Sequence, residues 1–268
     1  MSEIILEGKD VCRYFGGLKA VNKVNMQVEK GAIYGIIGPN GAGKTTFFNL
    51  CAGSFPLTSG EIWFDGQNIT KFDSVESAKA GIARTFQNLQ LFRNMTVLEN
   101  IIVGFHLNTR TNIFDGIFHT PAYKKDEKYA KEEGEKLLES LDLIQYKDTL
   151  AKNLAYGTQR KVEIGRALAL KPKVLLLDEP AAGMNPMETQ ELSDFIKKIR
   201  NQGITIVVIE HDMKFIMNLC ERILVLDHGE KLMEGTPLEV SRSEAVAEAY
   251  FGKGLIAKKE DMPNAADQ

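Results

Sequence analysis

Cysteine is scarce in this chain, and its few cysteines lie far apart. Cys12, Cys51 and Cys220 are the three cysteines among 268 residues, and no two of them have the C-x-x-C spacing. Cysteine-based metal sites and disulfide frameworks need several cysteines at short or regular spacings. The sequence therefore argues against both kinds of site and fits a reducing cytoplasm.

Long apolar runs and an excess of positive charge are also absent. No apolar segment approaches the roughly 20 residues that a transmembrane helix needs, and residues 1–4 lack the basic start and apolar core of a signal peptide. The 33 Lys and Arg residues are outnumbered by 36 Asp and Glu residues, which argues against broad electrostatic binding to nucleic acid. We therefore expect a soluble protein that has no nucleic-acid partner.

One segment, GPNGAGKTT at residues 38–46, is rich in glycine. The segment fits the pattern G-x-x-x-x-G-K-[ST] and lies between an apolar, strand-like run and a helix-compatible stretch. In this setting backbone N–H groups and the helix N-terminus bind phosphate, Lys44 meets the β- and γ-phosphates, and Thr45 ligates Mg²⁺. The alternative is a glycine-rich turn that happens to contain a lysine. The residues predicted to surround the nucleotide phosphates are Gly38, Pro39, Asn40, Gly41, Ala42, Gly43, Lys44, Thr45 and Thr46.

An acid pair, Asp178 and Glu179, follows the fully apolar run at residues 174–177. Ligands gather at the carboxyl ends of strands in parallel α/β sheets, so we expect this pair beside the phosphate loop. Asp178 is then placed to hold Mg²⁺, and Glu179 is placed to take a proton from the attacking water. The alternative is a solvated acidic turn at a strand end.

Two further residues have a functional and a structural interpretation. His211 follows the buried strand predicted at residues 204–209, where it could reach the γ-phosphate or cap the next helix together with Asp212. Phe15 belongs to an aromatic pair just before the Gly16–Gly17 turn and could stack on a nucleotide base. Taken alone, the pattern around Phe15 favours an ordinary core residue.

The order of strand-like and helix-like segments predicts an α/β protein. Residues 4–6 and the alternating residues 24–28 indicate strands ahead of the phosphate loop, and residues 61–64 indicate a further strand after it, as in an antiparallel sheet. Residues 88–172 indicate a helical subdomain. The chain from residue 174 alternates strands with helices and includes a closing hairpin at residues 222–234. Hydrophobic residues make up 44% of the chain, enough for a sizeable core. We predict a P-loop NTPase core of mostly parallel sheet, with an N-terminal antiparallel β subdomain and an inserted α-helical subdomain. This domain covers residues 1–252, and a charged, frayed tail covers residues 253–268.

An aromatic-rich segment lies within the predicted helical subdomain. Its apolar side chains are Ile113, Phe114, Ile117 and Phe118. The cluster could contact a membrane or a partner helix, although such clusters more often pack within their own subdomain. Both alternatives stay open.

Five features in a fixed order resemble an ABC-type ATPase subunit. They are the phosphate loop, Gln87 at a strand end, residues 154–159 at the start of a helix, the acid pair, and His211. The resemblance covers residues 4–251. It implies that Phe15 stacks on the adenine of ATP, that Gln87 reaches Mg²⁺ and senses a membrane partner, and that His211 contacts the γ-phosphate.

The resemblance also implies a head-to-tail dimer, either a homodimer or a heterodimer with a related ATPase subunit. In such a dimer the signature segment of one subunit faces the ATP held by the other, which suits a glycine-containing helix N-terminus. The signature segment consists of Leu154, Ala155, Tyr156, Gly157, Thr158 and Gln159. We therefore expect the phosphate loop to be half of a site and a monomer to have low activity.

The signature segment departs from the pattern Leu-Ser-Gly-Gly-Gln that is common in this family. Ala155 lacks the serine hydroxyl, Tyr156 replaces a glycine, and Thr158 occupies the position where the family usually has glutamine. Gly157 and the backbone N–H donors remain, so we expect activity to survive while the closed dimer changes in tightness. Asn185 stands where the family often has aspartate, and it can hydrogen-bond across the dimer without a charge.

Four segments are similar to the ATP-binding subunits of branched-chain amino-acid importers. They are residues 120–123, 154–157, 178–186 and 249–252. This resemblance implies ATP hydrolysis that powers an importer, with integral membrane permease subunits and, indirectly, an extracytoplasmic solute-binding protein as partners. It places the chain in the cytoplasm, peripheral on the inner face of the cell membrane.

Other functions stay open on these residues. Urea importers, importers of other small solutes and the lipopolysaccharide-exporting ATPase are similar to this group, and the insertion at residues 104–121 favours an importer. A soluble ABC ATPase that acts on ribosomes or DNA usually has tandem nucleotide domains or long coiled coils, whereas this chain has one phosphate loop and no sustained heptads. A nucleotide-gated regulatory module would need an appended domain longer than the residues after Phe251.

Overall fold

The computed structural model describes residues 3–105 and 121–251. They form two units, one of residues up to 71 together with those from 207 onward, and one of residues 72–206. The strands are β1 (Ile4–Phe15), β2 (Leu18–Glu29), β3 (Ile33–Ile37), β4 (Ser59–Phe64), β5 (Gln67–Asn68), β6 (Ile82–Arg84), β7 (Val174–Asp178), β8 (Thr205–Ile209), β9 (Arg222–Asp227) and β10 (Glu230–Gly235). The helices are α1 (Lys44–Cys51), α2 (Ser74–Ala80), α3 (Val97–Gly104), α4 (Pro121–Ser140), α5 (Tyr156–Leu168), α6 (Pro186–Arg200), α7 (Met213–Leu219), α8 (Pro237–Ser241) and α9 (Glu244–Phe251). The apolar cluster at residues 113–118 and the tail at residues 253–268 lie outside the described residues.

A four-stranded antiparallel sheet occupies the N-terminal part of the first unit. Its strand order is β2-β1-β4-β5, and Leu6 pairs with Val28 on one side and with Phe64 on the other. The predicted alternation in β2 is confirmed, since Val24, Met26 and Val28 are buried and the residues between them are exposed. Strand β1 extends well beyond residues 4–6, the three apolar residues expected to form it. Its later part includes exposed polar side chains, so its sequence is not continuously apolar.

A second group of strands in the first unit leads into the phosphate loop. Strand β3 pairs in parallel with β9, and β9 pairs antiparallel with β10, which confirms the closing hairpin expected there. All five residues of β3 are buried, as is typical of a parallel strand that is covered on both faces. Helix α1 begins at Lys44, directly after the glycine-rich segment. The predicted succession of strand, loop and helix is therefore confirmed.

The second unit combines a parallel strand pair with closely packed helices. Strands β6 and β7 pair in parallel, and all five residues of β7 are buried. Helix α3 approaches α5 so closely that a Cβ atom on Gly104 would lie 2.3 Å from the Arg166 carbonyl oxygen. A glycine at this position therefore permits the helix packing. The helical subdomain expected at about residues 88–172 stays a prediction.

One helix, α2, is absent from the sequence interpretation although a local signal for it exists. The Asp73 side chain accepts hydrogen bonds from the backbone N–H groups of Val75 and Glu76, and the Glu76 side chain accepts one from the Asp73 N–H. This capping box follows from the pattern D-x-x-E, which marks a helix start. In the described ranges no helix has the length and apolarity to cross a bilayer.

Candidate functional site

The phosphate loop has a backbone that only glycine can adopt at its two ends. Gly38 and Gly43 both have positive φ angles, 152° and 94°. A Cβ atom would lie 2.1 Å from the Leu226 carbonyl oxygen at Gly38 and 2.3 Å from the Ala20 carbonyl oxygen at Gly43. Any side chain would clash with backbone at these positions. The glycines of the motif are therefore required by contacts within this chain.

Lys44 is the first residue of α1, and its side chain folds back over the loop. The Lys44 side chain is buried, and its Nζ donates hydrogen bonds to the carbonyl oxygens of Gly38 at 2.7 Å and Pro39 at 2.9 Å. Thr45 follows with an exposed side chain. The outer loop, residues 39–42, lines a cleft of about 720 Å³ together with residues of the β9–β10 turn and of α9. The positive charge is thus fixed inside the loop, and the hydroxyl of Thr45 is accessible.

Phe15 ends β1 and forms an aromatic platform at the surface. Its side chain is 44% exposed, so Phe15 is not an ordinary core residue. The Arg13 guanidinium lies 4.6 Å from the centre of the Phe15 ring, and the ring of Phe55 meets it edge-on with 6.3 Å between centroids. Arg13 is itself held by a 2.9 Å hydrogen bond from its Nη1 to the Pro56 carbonyl oxygen. A planar group could stack on such a platform.

His211 lies just after β8 in an exposed position. Its backbone N–H donates to a carboxylate oxygen of the buried Glu210 at 3.1 Å, and its Nδ1 lies 3.6 Å from the same oxygen. The cap of α7 is supplied by Asp212, whose side chain accepts hydrogen bonds from the backbone of Lys214 and Phe215. His211 is thus oriented by a carboxylate, and the helix cap does not depend on it.

The acid pair is split between a buried and a half-buried position. Asp178 is the last residue of β7 and is 4% exposed. Burial raises the pKa of Asp178, while Arg84, with its Nη2 3.8 Å from the carboxylate, opposes this rise. A buried carboxyl of this kind is not part of a solvated turn. Glu179 has a φ of 46°, in the left-handed region.

Gln87 and Glu179 are brought together, although 92 residues separate them. The side-chain Nε2 of Gln87 donates a 3.1 Å hydrogen bond to a carboxylate oxygen of Glu179. Gln87, Asp178 and Glu179 all belong to the second unit, whereas Phe15, the phosphate loop and His211 belong to the first. The expected position of the acid pair beside the phosphate loop therefore stays a prediction.

The signature segment begins α5 without a side-chain cap. Ala155 is the N-cap residue, and no side chain accepts a hydrogen bond from the first turn. A Cβ atom on Gly157 would meet nothing closer than 3.7 Å, which is an ordinary contact with Glu188. Gln159 donates a 2.8 Å hydrogen bond to the Leu154 carbonyl oxygen. Nothing within the described residues requires glycine at position 157, in contrast to Gly38 and Gly43.

Tyr156 and Arg160 form contacts that sequence reasoning did not anticipate. The Tyr156 hydroxyl donates to the Ala182 carbonyl oxygen at 3.2 Å and accepts a hydrogen bond from Arg160 Nη2 at 3.0 Å. Arg160 is 1% exposed and forms an ion pair with the equally buried Glu163. The only sequence signal was a charged pair spaced i, i+3 along a helix, which normally indicates a solvated face.

Asn185, expected to act across a dimer, already has a role within its own helix. Its Oδ1 accepts hydrogen bonds from the backbone N–H groups of Met187 and Glu188, and Glu188 closes a capping box at the start of α6. The side-chain carbonyl of Asn185 therefore stabilises α6.

Comparison with known proteins identifies the family. The family model described as ABC transporter matches residues 21–182. The high-affinity branched-chain amino acid transport ATP-binding protein BraF of Pseudomonas aeruginosa is 43% identical over 254 residues, which cover 94% of this chain and all of BraF. The corresponding protein LivG of Escherichia coli is 41% identical with the same coverage of both chains.

Solved structures support the same conclusion. An ATP-binding cassette of an ABC transporter in its ADP conformation has a TM-score of 0.83 and 33% identity, and the match covers 94% of this chain and all of that one. A dimeric bacterial ABC transporter cassette has a TM-score of 0.71 and 26% identity, with 87% of this chain and 99% of that chain covered. These similarities confirm the predicted P-loop NTPase fold with its antiparallel N-terminal sheet. The chain therefore belongs to the ABC transporter family, in which it is an ATP-binding and ATP-hydrolysing subunit.

Proposed function

We propose that this chain powers a membrane importer of branched-chain amino acids. The observation that carries this proposal is the 43% and 41% identity to BraF and LivG over 94% of the chain. Relatives that import urea or another small solute, or that export lipid, are the alternative. A soluble ABC ATPase that has no role in transport is a less favoured alternative. The amino acid itself meets other subunits, so the residues of this chain act on ATP.

The phosphate loop and Phe15 would bind the two ends of ATP. The backbone N–H groups of the loop and the start of α1 favour an anion, and Lys44 adds a buried positive charge. Phe15 offers an exposed ring on which adenine can stack, with Arg13 against the same ring. The ring and the loop lie in the same unit of the chain. Together they account for recognition of the base and the phosphates.

The oxygen donors of this chain suit Mg²⁺. Mg²⁺ prefers hard oxygen ligands and usually takes only one or two carboxylates beside phosphate oxygens and water. Thr45 offers an exposed hydroxyl, Gln87 an amide oxygen and Asp178 a carboxylate, while the described residues contain no cluster of three or more His, Cys, Asp or Glu that could hold a metal alone. Thr45, Gln87 and Asp178 would therefore hold the ion. A bound Mg²⁺ would neutralise charge on the β- and γ-phosphate oxygens.

Hydrolysis needs a base, and in this proposal Glu179 would be that base. The amide of Gln87 orients the Glu179 carboxylate, which would accept the proton of the attacking water. Lys44 would stabilise the charge that develops on the transferred phosphoryl group, and His211 would steady the γ-phosphate. The hydrogen bond to Gln87 would also let a change at the membrane partner reach Glu179.

The signature segment supports a head-to-tail dimer in which each ATP contacts two subunits. Gly157 has room for a Cβ atom among the described residues, and a close approach by a partner's ATP would account for glycine at this position. The uncapped start of α5 at Ala155 leaves donors for such a phosphate. A cassette of similar fold is dimeric. A homodimer or a heterodimer with a related subunit satisfies these observations equally.

The remaining partners follow from transport. Integral permease subunits would hold the dimer at the inner face of the cell membrane, and a solute-binding protein would act outside the cytoplasm. The domain of residues 1–252, with its helical part at about residues 88–172, would carry all contacts with ATP.

Reconstitution with candidate permeases tests the proposal. The full chain is combined with its candidate permeases and solute-binding protein in liposomes, and uptake of labelled leucine and of urea is measured with ATP inside. We expect ATP hydrolysis to rise with the permeases and leucine uptake to require ATP, with urea uptake at background. Urea uptake without leucine uptake would overturn the amino-acid assignment. Unchanged hydrolysis with every permease pair would overturn the transport function.

A further inference from the structure

Arg160 is a fully buried positive charge near the start of α5. Its side chain is 1% exposed, and its Nη1 lies 2.8 Å from a carboxylate oxygen of Glu163, which is 2% exposed. An isolated buried guanidinium would be strongly destabilising. Nη1 and Nη2 of Arg160 have further hydrogen-bond partners, whereas its Nε makes no hydrogen bond within the part of the chain that the structure describes. These partners determine what Arg160 holds in place.

The guanidinium holds the segment that contains Gln87. Arg160 Nη1 donates to the Phe86 carbonyl oxygen at 3.1 Å, and Arg160 Nη2 donates to the Gln87 carbonyl oxygen at 3.0 Å. Glu163 accepts a 2.9 Å hydrogen bond from the Gln90 backbone N–H. The ion pair therefore fixes the backbone on both sides of the Gln87 side chain.

The same guanidinium reaches the signature segment through Tyr156. Arg160 Nη2 donates to the Tyr156 hydroxyl at 3.0 Å, and that hydroxyl donates to the Ala182 carbonyl oxygen at 3.2 Å. Ala182 lies three residues after Glu179, whose carboxylate accepts the hydrogen bond from the Gln87 side chain. The Tyr156 hydroxyl thus connects the start of α5 with the segments that carry Gln87 and Glu179.

We propose that Tyr156 and Arg160 are positioning residues that couple the signature segment to the orientation of Gln87 and Glu179. The proposal rests on the proposed ATP hydrolysis at these residues. Contact of a partner subunit's ATP with the signature segment would hold the Tyr156 side chain in a fixed position. Through their hydrogen bonds, Tyr156 and Arg160 would then fix the positions of the Ala182 and Gln87 carbonyl groups. Tyrosine at a position that is commonly glycine in this family supplies a hydroxyl that glycine lacks.

Removal of one hydroxyl tests the coupling. Tyr156→Phe keeps the ring but loses both hydrogen bonds of the hydroxyl, while Arg160 keeps its bonds to Glu163 and to the two carbonyls. We expect kcat for ATP in the full transporter complex to fall about tenfold, with KM and the melting temperature nearly unchanged. Tyr129→Phe is the matched control, because Tyr129 is in the same unit, is similarly exposed and accepts a hydrogen bond from Lys171. The control should have wild-type kcat.

A double-mutant cycle separates positioning from a purely structural effect. If Tyr156 acts through Gln87, the effect of Tyr156→Phe should shrink to less than twofold in a Gln87→Ala background. An equal effect in both backgrounds, or a kcat that matches the Tyr129→Phe control, would overturn the coupling alone. A wild-type complex without ATP hydrolysis would overturn the proposed function and the coupling together.

Discussion

Replacement of Arg160 by methionine should destabilise the protein far more than replacement of its neighbour Lys161. The carboxylate of Glu163 is 2% exposed and would lose the charge that compensates it. Loss of one partner from a buried ion pair costs about 3–5 kcal/mol. In contrast, Lys161 pairs with Glu191, whose side chain is 56% exposed, and such surface pairs contribute about 0–1 kcal/mol. The two substitutions are chemically alike and one residue apart, so the difference reports burial.

Urea and thermal unfolding measure these effects. We expect Arg160→Met to lower the free energy of unfolding by about 3–5 kcal/mol, a decrease in melting temperature of roughly 6–20 °C. Lys161→Met should lie within about 1 kcal/mol of wild type. The double variant Arg160→Met/Glu163→Leu should be more stable than Arg160→Met by at least about 1 kcal/mol, because it removes the uncompensated charge. Equal effects of Arg160→Met and Lys161→Met, or a double variant no more stable than Arg160→Met, would refute the reasoning.

Three further predictions concern the nucleotide site. Glu179→Gln should bind ATP while hydrolysis falls about 10²- to 10⁴-fold, since only the proton acceptor is lost; nucleotide titration and steady-state turnover check this, and an unchanged rate contradicts it. Phe15→Ala should raise the Kd for ATP roughly tenfold with little change in melting temperature, because the ring is 44% exposed and stacking contributes about 1–3 kcal/mol; equal Kd values for both proteins would remove Phe15 from the site. Asp178→Asn should gain stability relative to wild type as pH rises from about 4. Burial raises the folded-state pKa of Asp178 above its ordinary value of 3.8. The wild-type protein therefore loses stability as pH rises from the unfolded-state pKa to the folded-state pKa of this residue. A difference in urea unfolding between the two proteins that does not change with pH would contradict this.

The local motifs made the backbone of the phosphate loop and the burial of β7 predictable. Gly38 and Gly43 are required by backbone contacts within the chain, and β7 is buried throughout as its apolar sequence indicates. Patterns of this kind are contained in short segments, so their structure follows from sequence alone. Helix α2 could have been predicted in the same way from its capping box.

The contacts of Arg160 could not be predicted from the sequence. Arg160 and the carbonyl groups it holds are more than 70 residues apart, and the charged pair with Glu163 has the spacing of an ordinary surface pair. Only packing of α5 shows that this face is buried. The length of β1 was missed for a related reason, because a strand with one exposed face does not have a continuous apolar sequence.

The backbone of Glu179 has a consequence for engineering this protein. A left-handed conformation at a non-glycine residue costs on the order of 1–3 kcal/mol, and glycine would adopt the φ of 46° without this cost. Selection of variants for heat resistance alone should therefore enrich Glu179→Gly, which lacks the proposed catalytic carboxylate. Directed evolution of a more robust transporter ATPase has to select for turnover in the same round, because at this residue stability and activity favour different amino acids.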